Sequence, residues 1–199
     1  MFDPFNDFES AGYLRNRFQE KDPIVLRQIE HSLFLANMQI VIDFLRQLDR
    51  LTYVDFLRVH EILFSSLYPW AGQSRFQVAP NIAISKAGIQ FCHPNDVQRA
   101  IEHGLRLGQS AEMRERPGQV LGLFAYAHPF LDGNGRTMLV IHSELCRRGA
   151  FSIDWTRMDK GRYLRALSDE IESPHAFHLD NYLRAYVGPQ SGSRGQPTQ

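Results

Sequence analysis

Residues 128–136 of this chain read HPFLDGNGR and join two segments that have helical periodicity. Pro129 ends the first helix near His128, and the two glycines beside Asn134 permit positive φ angles just before the next helix begins. Backbone N–H groups at such a helix start lack intrahelical acceptors and can form a nest for an anion. Arg136 lies in the first turn, where a cation opposes the helix dipole unless an anion is bound. The stretch therefore predicts a phosphate-binding loop.

Two side chains of the same stretch add reactive groups. Asp132 is a hard carboxylate of the kind that binds Mg²⁺ together with phosphate oxygens. His128 is a neutral imidazole at pH 7 by default, so it can accept a proton from an attacking hydroxyl. Each feature alone is common at helix ends and in surface turns, but the nine residues together describe phosphoryl or nucleotidyl transfer.

The segments on either side of this loop are mostly helical in pattern. Asp22 followed by Pro23 is typical of a helix start, and apolar residues then recur at helical spacing as far as Leu48. Thr52 predicts the start of a second helix, which reaches about Leu67. Further helices are predicted over 94–107, 118–127 and 136–148, with one or two more over 159–186.

Residues 74–92 have a different pattern. Apolar residues such as Ile82, Ile84 and Ile89 lie there among turn-forming residues such as Pro80 and Gly88. This pattern is typical of a short β-hairpin or an extended flap. Strand signals are scarce elsewhere. The fold class is therefore predicted to be all-α, a helical bundle with one small β-hairpin flap.

Length and terminal composition predict one domain. The 199 residues are enough for a single core, which we place in residues 1–187 with an N-terminal helical arm. Residues 188–199, GPQSGSRGQPTQ, have almost no apolar side chains to bury. We expect them to form a disordered tail or a linker.

Composition argues against several classes of protein. The 22 Lys and Arg residues balance 22 Asp and Glu residues, whereas a dedicated nucleic-acid binder usually has a strong basic bias. Cys92 and Cys146 are too few for a disulfide framework or a zinc cage, and we expect reduced thiols. The N-terminus lacks the pattern of a Sec-type signal peptide, and the apolar runs are too short to span a bilayer. We expect a cytoplasmic protein or a delivered effector, with no membrane and no nucleic acid as partner.

The central stretch resembles the signature of the Fic domains, His-x-Phe-x-Asp/Glu-Gly-Asn-Gly-Arg-x-x-Arg. The positions that match are His128, Phe130, Asp132, Gly133, Asn134, Gly135 and Arg136. The resemblance covers roughly residues 12–186. Residues 12–17 look like the N-terminal arm of stand-alone Fic toxins, and residues 60–75 are similar to the helix and turn before the family's flap.

This resemblance implies transfer of AMP from ATP to the hydroxyl of a Ser, Thr or Tyr on a target protein. His128 would be the general base, and Asp132 would hold Mg²⁺. The residues that bind the nucleotide phosphates would be Gly133, Asn134, Gly135 and Arg136.

The resemblance also gives roles to residues outside the reactive groups. Phe130 would anchor the loop in the core. Ile89, Gln90 and Phe91 of the flap would pair with an extended segment of the target by strand addition, a mode that reads little side-chain sequence.

One position departs from the signature. The second arginine, which in the family engages the terminal phosphate of the nucleotide, is replaced by Leu139. Loss of such a charge-assisted hydrogen bond costs about 1.5–3 kcal/mol. Three interpretations follow: another cation (Arg147, Lys86 or Arg75) substitutes; the donor is a different diphosphate-containing compound without a γ-phosphate, since some family members transfer groups other than AMP, phosphocholine and UMP among them; or the chain is a degenerate nucleotide-binding module. Transfer of AMP or another nucleotide ranks first.

Regulation is the second point of departure. Many Fic domains are inhibited by a helix with the pattern Ser/Thr-x-x-x-Glu-Gly/Asn, whose glutamate pairs with the second arginine. Residues 32–37 have Ala36 in place of the glutamate, and in residues 168–173 the glutamate is followed by Ser173. We predict no intramolecular inhibition by this mechanism, while a separate antitoxin chain fits the toxin-like arm. Doc-type phosphotransfer is disfavoured, because that family has Ala-Asn-Lys where this chain has Gly-Asn-Gly.

Overall fold

A computed structural model of the chain describes residues 2–86 and 88–189. The helices of this part are α1 (Phe8–Ala11), α2 (Pro23–Arg46), α3 (Tyr53–Phe64), α4 (Arg75–Val78), α5 (Val97–Gly108), α6 (Pro117–Ala127), α7 (Asn134–Arg148), α8 (Lys160–Glu172) and α9 (His178–Leu183). The strands are β1 (Ser85–Lys86), β2 (Ile89–Gln90), β3 (Phe151–Ile153) and β4 (Val187–Pro189). The predicted helical fold with a small hairpin is confirmed.

Local capping explains where the two long N-terminal helices begin. The Asp22 carboxylate accepts a hydrogen bond from the amide of Ile24, and Pro23 is the first residue of α2. Thr52 and Asp55 cap α3 reciprocally, each side chain accepting from the backbone amide of the other residue. Both starts were predicted from these residue types, because capping depends only on neighbours in the sequence.

Several boundaries differ from the prediction, and three of the differences lie near the flap or the central loop. The segment after Ser74, expected to be extended, begins with the short helix α4, because the side-chain oxygen of Gln77 accepts from the Ser74 amide (2.8 Å) and closes a capping box. Helix α3 ends at Phe64, three residues before the expected end, and α7 begins at Asn134 rather than at Arg136. The last difference moves the whole Gly-Asn-Gly-Arg run closer to a helix N-terminus than expected.

Two small antiparallel sheets accompany the helices. β1 pairs with β2 in the register Ser85↔Gln90 and Lys86↔Ile89, which forms the predicted flap hairpin. β3 pairs with β4, so Gly188 and Pro189, the first residues of the expected tail, lie in a strand. This pairing uses backbone groups and needs no apolar side chain. The rest of the expected tail, 190–199, lies outside the described residues.

Helix α6 lies at the centre of the bundle. It packs against α5, α7, α8 and α9, and most of its side chains are buried. The Phe56 ring of α3 bridges α6 and the loop that follows it, with ring centroids 5.1 Å from Phe124 and 6.3 Å from Phe130. Phe130 is fully buried, so the loop is anchored in the core as expected. No helix in the described ranges is both long and apolar enough to cross a bilayer.

Candidate active site

His128 lies at the corner where α6 ends. It caps the helix in the left-handed conformation, with φ +40° and ψ 59°, and its amide donates to the carbonyl of Phe124 (3.3 Å). This conformation is uncommon for a residue with a Cβ atom and costs about 1–2 kcal/mol. Since a helix cannot continue through it, the chain turns away at Pro129 and reaches α7 at Asn134.

Two side chains of the loop bond to its own backbone. Asn134 Oδ1 accepts from the Phe130 amide and Asn134 Nδ2 donates to the Phe130 carbonyl, both at 2.8 Å. Asp132 Oδ1 accepts from the amide of Gly133 (2.7 Å). The Asn134 side chain therefore holds the loop in shape. What Asn134 and the next residues of α7 offer to a phosphate is their backbone amides, which have no acceptor within the helix.

The two glycines of the loop have different surroundings. Gly133 has φ +74°, and a Cβ there would lie 2.7 Å from Cε2 of Phe64 and 3.0 Å from Nε2 of His60, so this position requires glycine. Gly135 is exposed, and a Cβ there would meet no described atom within 4 Å. The space outside the first turn of α7 is therefore open.

His60 of α3 packs against the side of the loop that faces the core. Its ring is fully buried and stacks on Phe130, with centroids 3.7 Å apart. Nδ1 accepts from the amide of Gly72 (3.0 Å), which leaves Nε2 to donate to the carbonyl of Asp132 (3.1 Å). Burial lowers the pKa of His60 to about 3, so the imidazole is neutral. No role was predicted for His60 beyond its place in the resemblance to Fic domains.

Arg136 forms an ion pair that the sequence analysis missed. Its Nη2 lies 2.5 Å from Oε2 of Glu30 in α2, and its guanidinium lies 4.9 Å from the centroid of Phe64. Burial, followed by the nearby charge of Asp132, raises the pKa of Glu30, while Arg136 opposes that rise. The one signal in the sequence was Glu30 itself, a charged residue four positions after Leu26 on the inward face of α2.

The two segments considered as inhibitory motifs do not supply this glutamate. Ala36 is exposed on α2, in the position where the motif would have its glutamate. Glu172, the glutamate of residues 168–173, is exposed at the C-terminal end of α8. The ion pair with Glu30 also involves the first arginine of the signature, whereas the family's inhibitory glutamate pairs with the second.

Leu139 faces an apolar groove between α2 and α7. The groove encloses about 440 Å³, and its apolar lining comes mainly from Phe34, Met38, Ile42, Leu45, Leu139, Val140 and Trp155. Arg46, Arg136 and Arg147 also line it. The position at which the family has a second phosphate-binding arginine therefore holds an apolar side chain, in a groove that other arginines also line.

The three cations considered as substitutes lie in different places. Arg75 is fully buried and donates to three backbone carbonyls, so it does not face the loop's open side. Arg147 binds Glu144 near the far end of α7, about 16 Å along the helix from Arg136. Lys86 of β1 lines the same cavity as His128. Of these three, Lys86 is the one that lines a cavity together with the predicted base.

The His128 imidazole lines a cavity of about 280 Å³ between the flap, α7 and α8. The predicted site residues that share it are His128, Asn134, Gly135, Ile89 and Phe91, whereas Asp132, Gly133 and Arg136 do not line it. Residues of α8, among them Leu164 and Ser168, form the opposite wall. His128 as a whole residue is partly exposed, and it lines this cavity.

The flap contacts the predicted base directly. The ring of Phe91 stacks on His128 with centroids 3.9 Å apart and an angle of 12° between the planes. Burial, followed by the positive charges of Arg75 and Lys86, lowers the pKa of His128 to about 3. Gln90 is exposed, and in the described part of the chain β2 pairs with β1 alone, which leaves its other edge unpaired.

Comparison with known proteins identifies the family. Residues 50–146, which include α3, the flap and the loop after α6, match the Fic/DOC family profile. The chain contains a Fic/DOC family domain. In this Fic domain the profile ends at Cys146, two residues before the end of α7.

Two curated relatives align with most of the Fic domain. Protein adenylyltransferase VbhT of Bartonella schoenbuchensis is 30% identical over 179 residues, which cover 82% of this chain and 35% of VbhT. The chain thus spans about a third of that relative's length. Probable protein adenylyltransferase y4lH of Sinorhizobium fredii is 27% identical over 170 residues, which cover 80% of this chain and 84% of y4lH.

Solved structures share the fold of this Fic domain. BepC of Bartonella tribocorum, solved with bound AMPPNP, has a TM-score of 0.74 and 20% identity, covering 92% of this chain and 95% of BepC. The N-terminal Fic domain of a VirB-translocated Bep effector of Bartonella quintana, solved with bound ADP, has a TM-score of 0.70 and 21% identity, covering 92% and 94%. At these identities the likeness establishes the fold alone.

Proposed function

We propose that this Fic domain transfers AMP from ATP to the hydroxyl of a Ser, Thr or Tyr side chain on a target protein. Both curated relatives are named as protein adenylyltransferases, and two of the structural neighbours contain AMPPNP or ADP. The observation that supports the proposal most directly is the placement of His128. Its neutral imidazole shares a cavity with Asn134 and Gly135, the first residues of α7.

The start of α7 would bind the phosphates of the nucleotide. The amides of Gly133, Asn134 and Gly135 lie at or beside the positive end of the helix dipole, where an anion is stabilised. Arg136 would contact the same phosphates. Its guanidinium has five N–H donors, so the bond to Glu30 leaves others for a phosphate oxygen.

Asp132 would hold Mg²⁺. Among the described residues, no group of three or more His, Cys, Asp or Glu side chains is arranged to bind a metal. A single carboxylate fits Mg²⁺, which usually takes one or two protein carboxylates and completes its shell with phosphate oxygens and water. When bound, the ion would neutralise phosphate charge.

His128 would act as the general base. The hydroxyl oxygen of the target forms a bond to the α-phosphorus, the bond from that phosphorus to the bridging oxygen breaks, and pyrophosphate leaves. The proton of the hydroxyl moves to the imidazole, which is free to accept it because its lowered pKa keeps it neutral at pH 7. The negative phosphates of a bound nucleotide would raise that pKa again and strengthen the base.

The flap would dock the target. The unpaired edge of β2 could add a strand from the target through Ile89 and Gln90, which requires backbone groups more than a particular sequence. Phe91 covers one face of the imidazole, so the acceptor hydroxyl would approach from the cavity side.

A second donor class is favoured by one observation. Leu139 puts an apolar side chain where the family has a phosphate-binding arginine, and it lines a mainly apolar groove. The loss of that cation weakens binding of a γ-phosphate and does not alter the contacts proposed for the other phosphates of the donor. A donor with a pyrophosphate linkage but no γ-phosphate, such as a CDP-alcohol that transfers phosphocholine, is therefore the alternative.

Two further proposals concern setting and partners. The toxin-like N-terminal arm supports a separate inhibitory chain as a partner. Delivery into another cell is compatible with the structural neighbours that are described as VirB-translocated effectors. Co-purification with the product of a neighbouring gene tests the first proposal.

Label transfer tests the main proposal. The purified chain is incubated with cell lysate and Mg²⁺, with ATP labelled at the α-phosphate in one reaction and CDP-choline labelled in the phosphocholine group in the other. We expect labelled protein bands from ATP in the wild type and none from His128→Ala. Bands from CDP-choline alone would select the alternative donor.

Calorimetry with the same nucleotides separates an enzyme from a binding module. Nucleotide binding without transfer from either donor would indicate a degenerate module and contradict the proposal. Label that persists in His128→Ala would remove His128 from the role of base.

A further inference from the structure

Arg75, the first residue of α4, is a buried cation placed directly behind His128. The residue has no exposed surface, and its guanidinium donates to the backbone carbonyls of His128, Cys92 and Ala127 rather than to a carboxylate. We propose that Arg75 is a positioning residue, which fixes the orientation of the His128 imidazole by joining the flap to the corner after α6. The proposal rests on the proposed role of His128 as base, and it names the residue that sets the direction of that base.

Arg75 forms hydrogen bonds with three consecutive residues of the corner, 127–129. Its Nε donates to the carbonyl of His128 (2.6 Å), and its Nη2 donates to the carbonyl of Ala127 (3.2 Å). Its own backbone amide donates to the carbonyl of Pro129 (2.7 Å). Three consecutive carbonyls therefore accept hydrogen bonds from one residue. The left-handed peptide at His128 cannot rotate without breaking at least one of these bonds.

The same guanidinium holds the flap. Nη2 of Arg75 also donates to the carbonyl of Cys92 (2.9 Å), so one nitrogen bridges the flap and α6. Two bonds from Cys92 strengthen this junction: its amide donates to the Tyr126 carbonyl (3.0 Å) and its thiol to the Ala127 carbonyl (3.3 Å). Phe91, which precedes Cys92, stacks on His128. Both rings of the stack are thus attached to backbone that Arg75 holds.

Stability alone does not account for an arginine at this place. A buried cation is costly unless its partners compensate it, and here the compensation comes from carbonyls at the negative end of the α6 dipole. Nη1 of Arg75 is buried without a hydrogen-bond partner, which adds to the cost. An apolar side chain would avoid both costs, but it could not bridge the carbonyls of two separate segments. The planar guanidinium can do so with a fixed geometry.

Nuclear magnetic resonance can detect the position of the ring independently of any activity. Stacking under Phe91 shifts the ring protons of His128 upfield, and histidine-labelled protein reports this shift, with the His128 signals assigned by their loss in His128→Ala. The variants are Arg75→Met, which removes all donors, and Arg75→Lys, which keeps the charge but loses the planar fork. Phe91→Leu gives the unstacked reference.

Arg148 provides a matched control. It also donates to three backbone carbonyls, those of Leu45, Leu48 and Asp49, but at the C-terminal end of α2, away from His128. We expect Arg148→Met to lower the melting temperature and to leave the His128 signals unchanged. Arg75→Met should move those signals most of the way to the positions of Phe91→Leu, and Arg75→Lys should move them part of the way.

Activity gives the second readout. We expect kcat to fall roughly 10–100-fold in Arg75→Met with little change in KM for the nucleotide, because misplacement of the base affects the chemical step. If Arg75→Met does not fold, Arg75→Lys decides in its place. A folded Arg75 variant whose His128 signals keep their upfield shift overturns the proposal. Signals that move as expected in a chain without any transfer activity would uphold the positioning role and reject the proposed reaction.

Discussion

The carboxylate of Glu30 and the guanidinium of Arg136 form an ion pair between α2 and α7, with 2.5 Å between Oε2 and Nη2. The glutamate is almost fully buried, while the arginine keeps about a quarter of its side chain exposed. Glu30 is therefore closed to solvent, while Arg136 is accessible at the first turn of α7. The negative charge of Glu30 partly offsets the positive charge of Arg136 that a phosphate would meet there.

Removal of this negative charge should strengthen nucleotide binding. In Glu30→Gln the amide oxygen can still accept from Arg136, but the net charge beside the loop rises by one. We expect the Kd for ATP to fall about fivefold, or ~1 kcal/mol, as for one partly screened unit charge. Calorimetry measures it, and Glu61→Gln, in an exposed pair with Arg58, is the control that should not change. Unchanged or weaker binding in Glu30→Gln would show that the ion pair is needed to hold Arg136 in place.

Restoring the missing cation tests the choice of donor. Leu139 lines the groove beside Arg136, and the apolar stem of an arginine could lie along that groove with its head near the open side. In Leu139→Arg we expect ATP to bind about tenfold more tightly than in the wild type, with little change for ADP, since a γ-phosphate contact is worth ~1.5–3 kcal/mol. Leu139→Met is the matched control. Equal gains for ATP and ADP would argue against a γ-phosphate contact at this position.

The two loop glycines should respond oppositely to alanine. Gly133→Ala places a Cβ at φ +74° and 2.7 Å from the Phe64 ring, so we expect a loss of about 2–4 kcal/mol in the free energy of unfolding from strain and overpacking. Gly135→Ala puts the Cβ in open space within α7 and should gain about 0.5 kcal/mol. Urea denaturation measures both. Equal losses in the two variants would mean that the space beside Gly135 is not open.

Asp180 should make stability depend on pH. Its Oδ1 accepts from the amide of Gly118 at the start of α6 (2.6 Å), and burial raises its pKa to about 6. The folded state then binds the proton more tightly than the unfolded chain, whose pKa is near 3.9, so the Asp180 contribution to stability falls as pH rises from about 4 to about 6. Between pH 7 and pH 5 it should gain about 1 kcal/mol.

The Asp180 contribution is isolated by comparison with Asp180→Asn. The amide oxygen of asparagine can still accept from Gly118 but does not titrate, so other groups cancel in the difference. We expect the wild type to gain more stability than the variant when the pH is lowered from 7 to 5. Parallel pH profiles of the unfolding free energy would show that the Asp180 pKa is ordinary in the folded state.

The sequence predicted those parts of the fold that depend on neighbours in the chain. The starts of α2 and α3 follow from caps within three residues, and the Gly-Asn-Gly run lies at a helix N-terminus as its conformational freedom requires. The His128 corner was predicted because Pro129 stops the helix. These signals are local, so tertiary structure had little to change.

The parts that were not predicted depend on residues far apart in the chain. Glu30 and Arg136 are brought together by packing of α2 on the loop, and nothing near either residue specifies the other. Arg75 was considered a spare cation, yet burial behind His128 removes it from the open side. The pairing of β3 with β4 uses backbone bonds and one hydrogen bond from the Ser152 hydroxyl to the Pro189 carbonyl (3.0 Å), and nothing near residues 187–189 in the sequence specifies this partner.

In the corner between α6 and α7, the backbone acceptors face the protein interior. Each carbonyl whose partner is identified there points inward: Arg75 takes those of residues 127–129, Asn134 takes that of Phe130, and His60 takes that of Asp132. Because these carbonyl oxygens already accept hydrogen bonds from the protein interior, an anion at the first turn of α7 meets hydrogen-bond donors and is not repelled by outward-facing carbonyl oxygens. A substitution that frees one of these oxygens would therefore weaken anion binding, even if the substituted residue does not contact the anion.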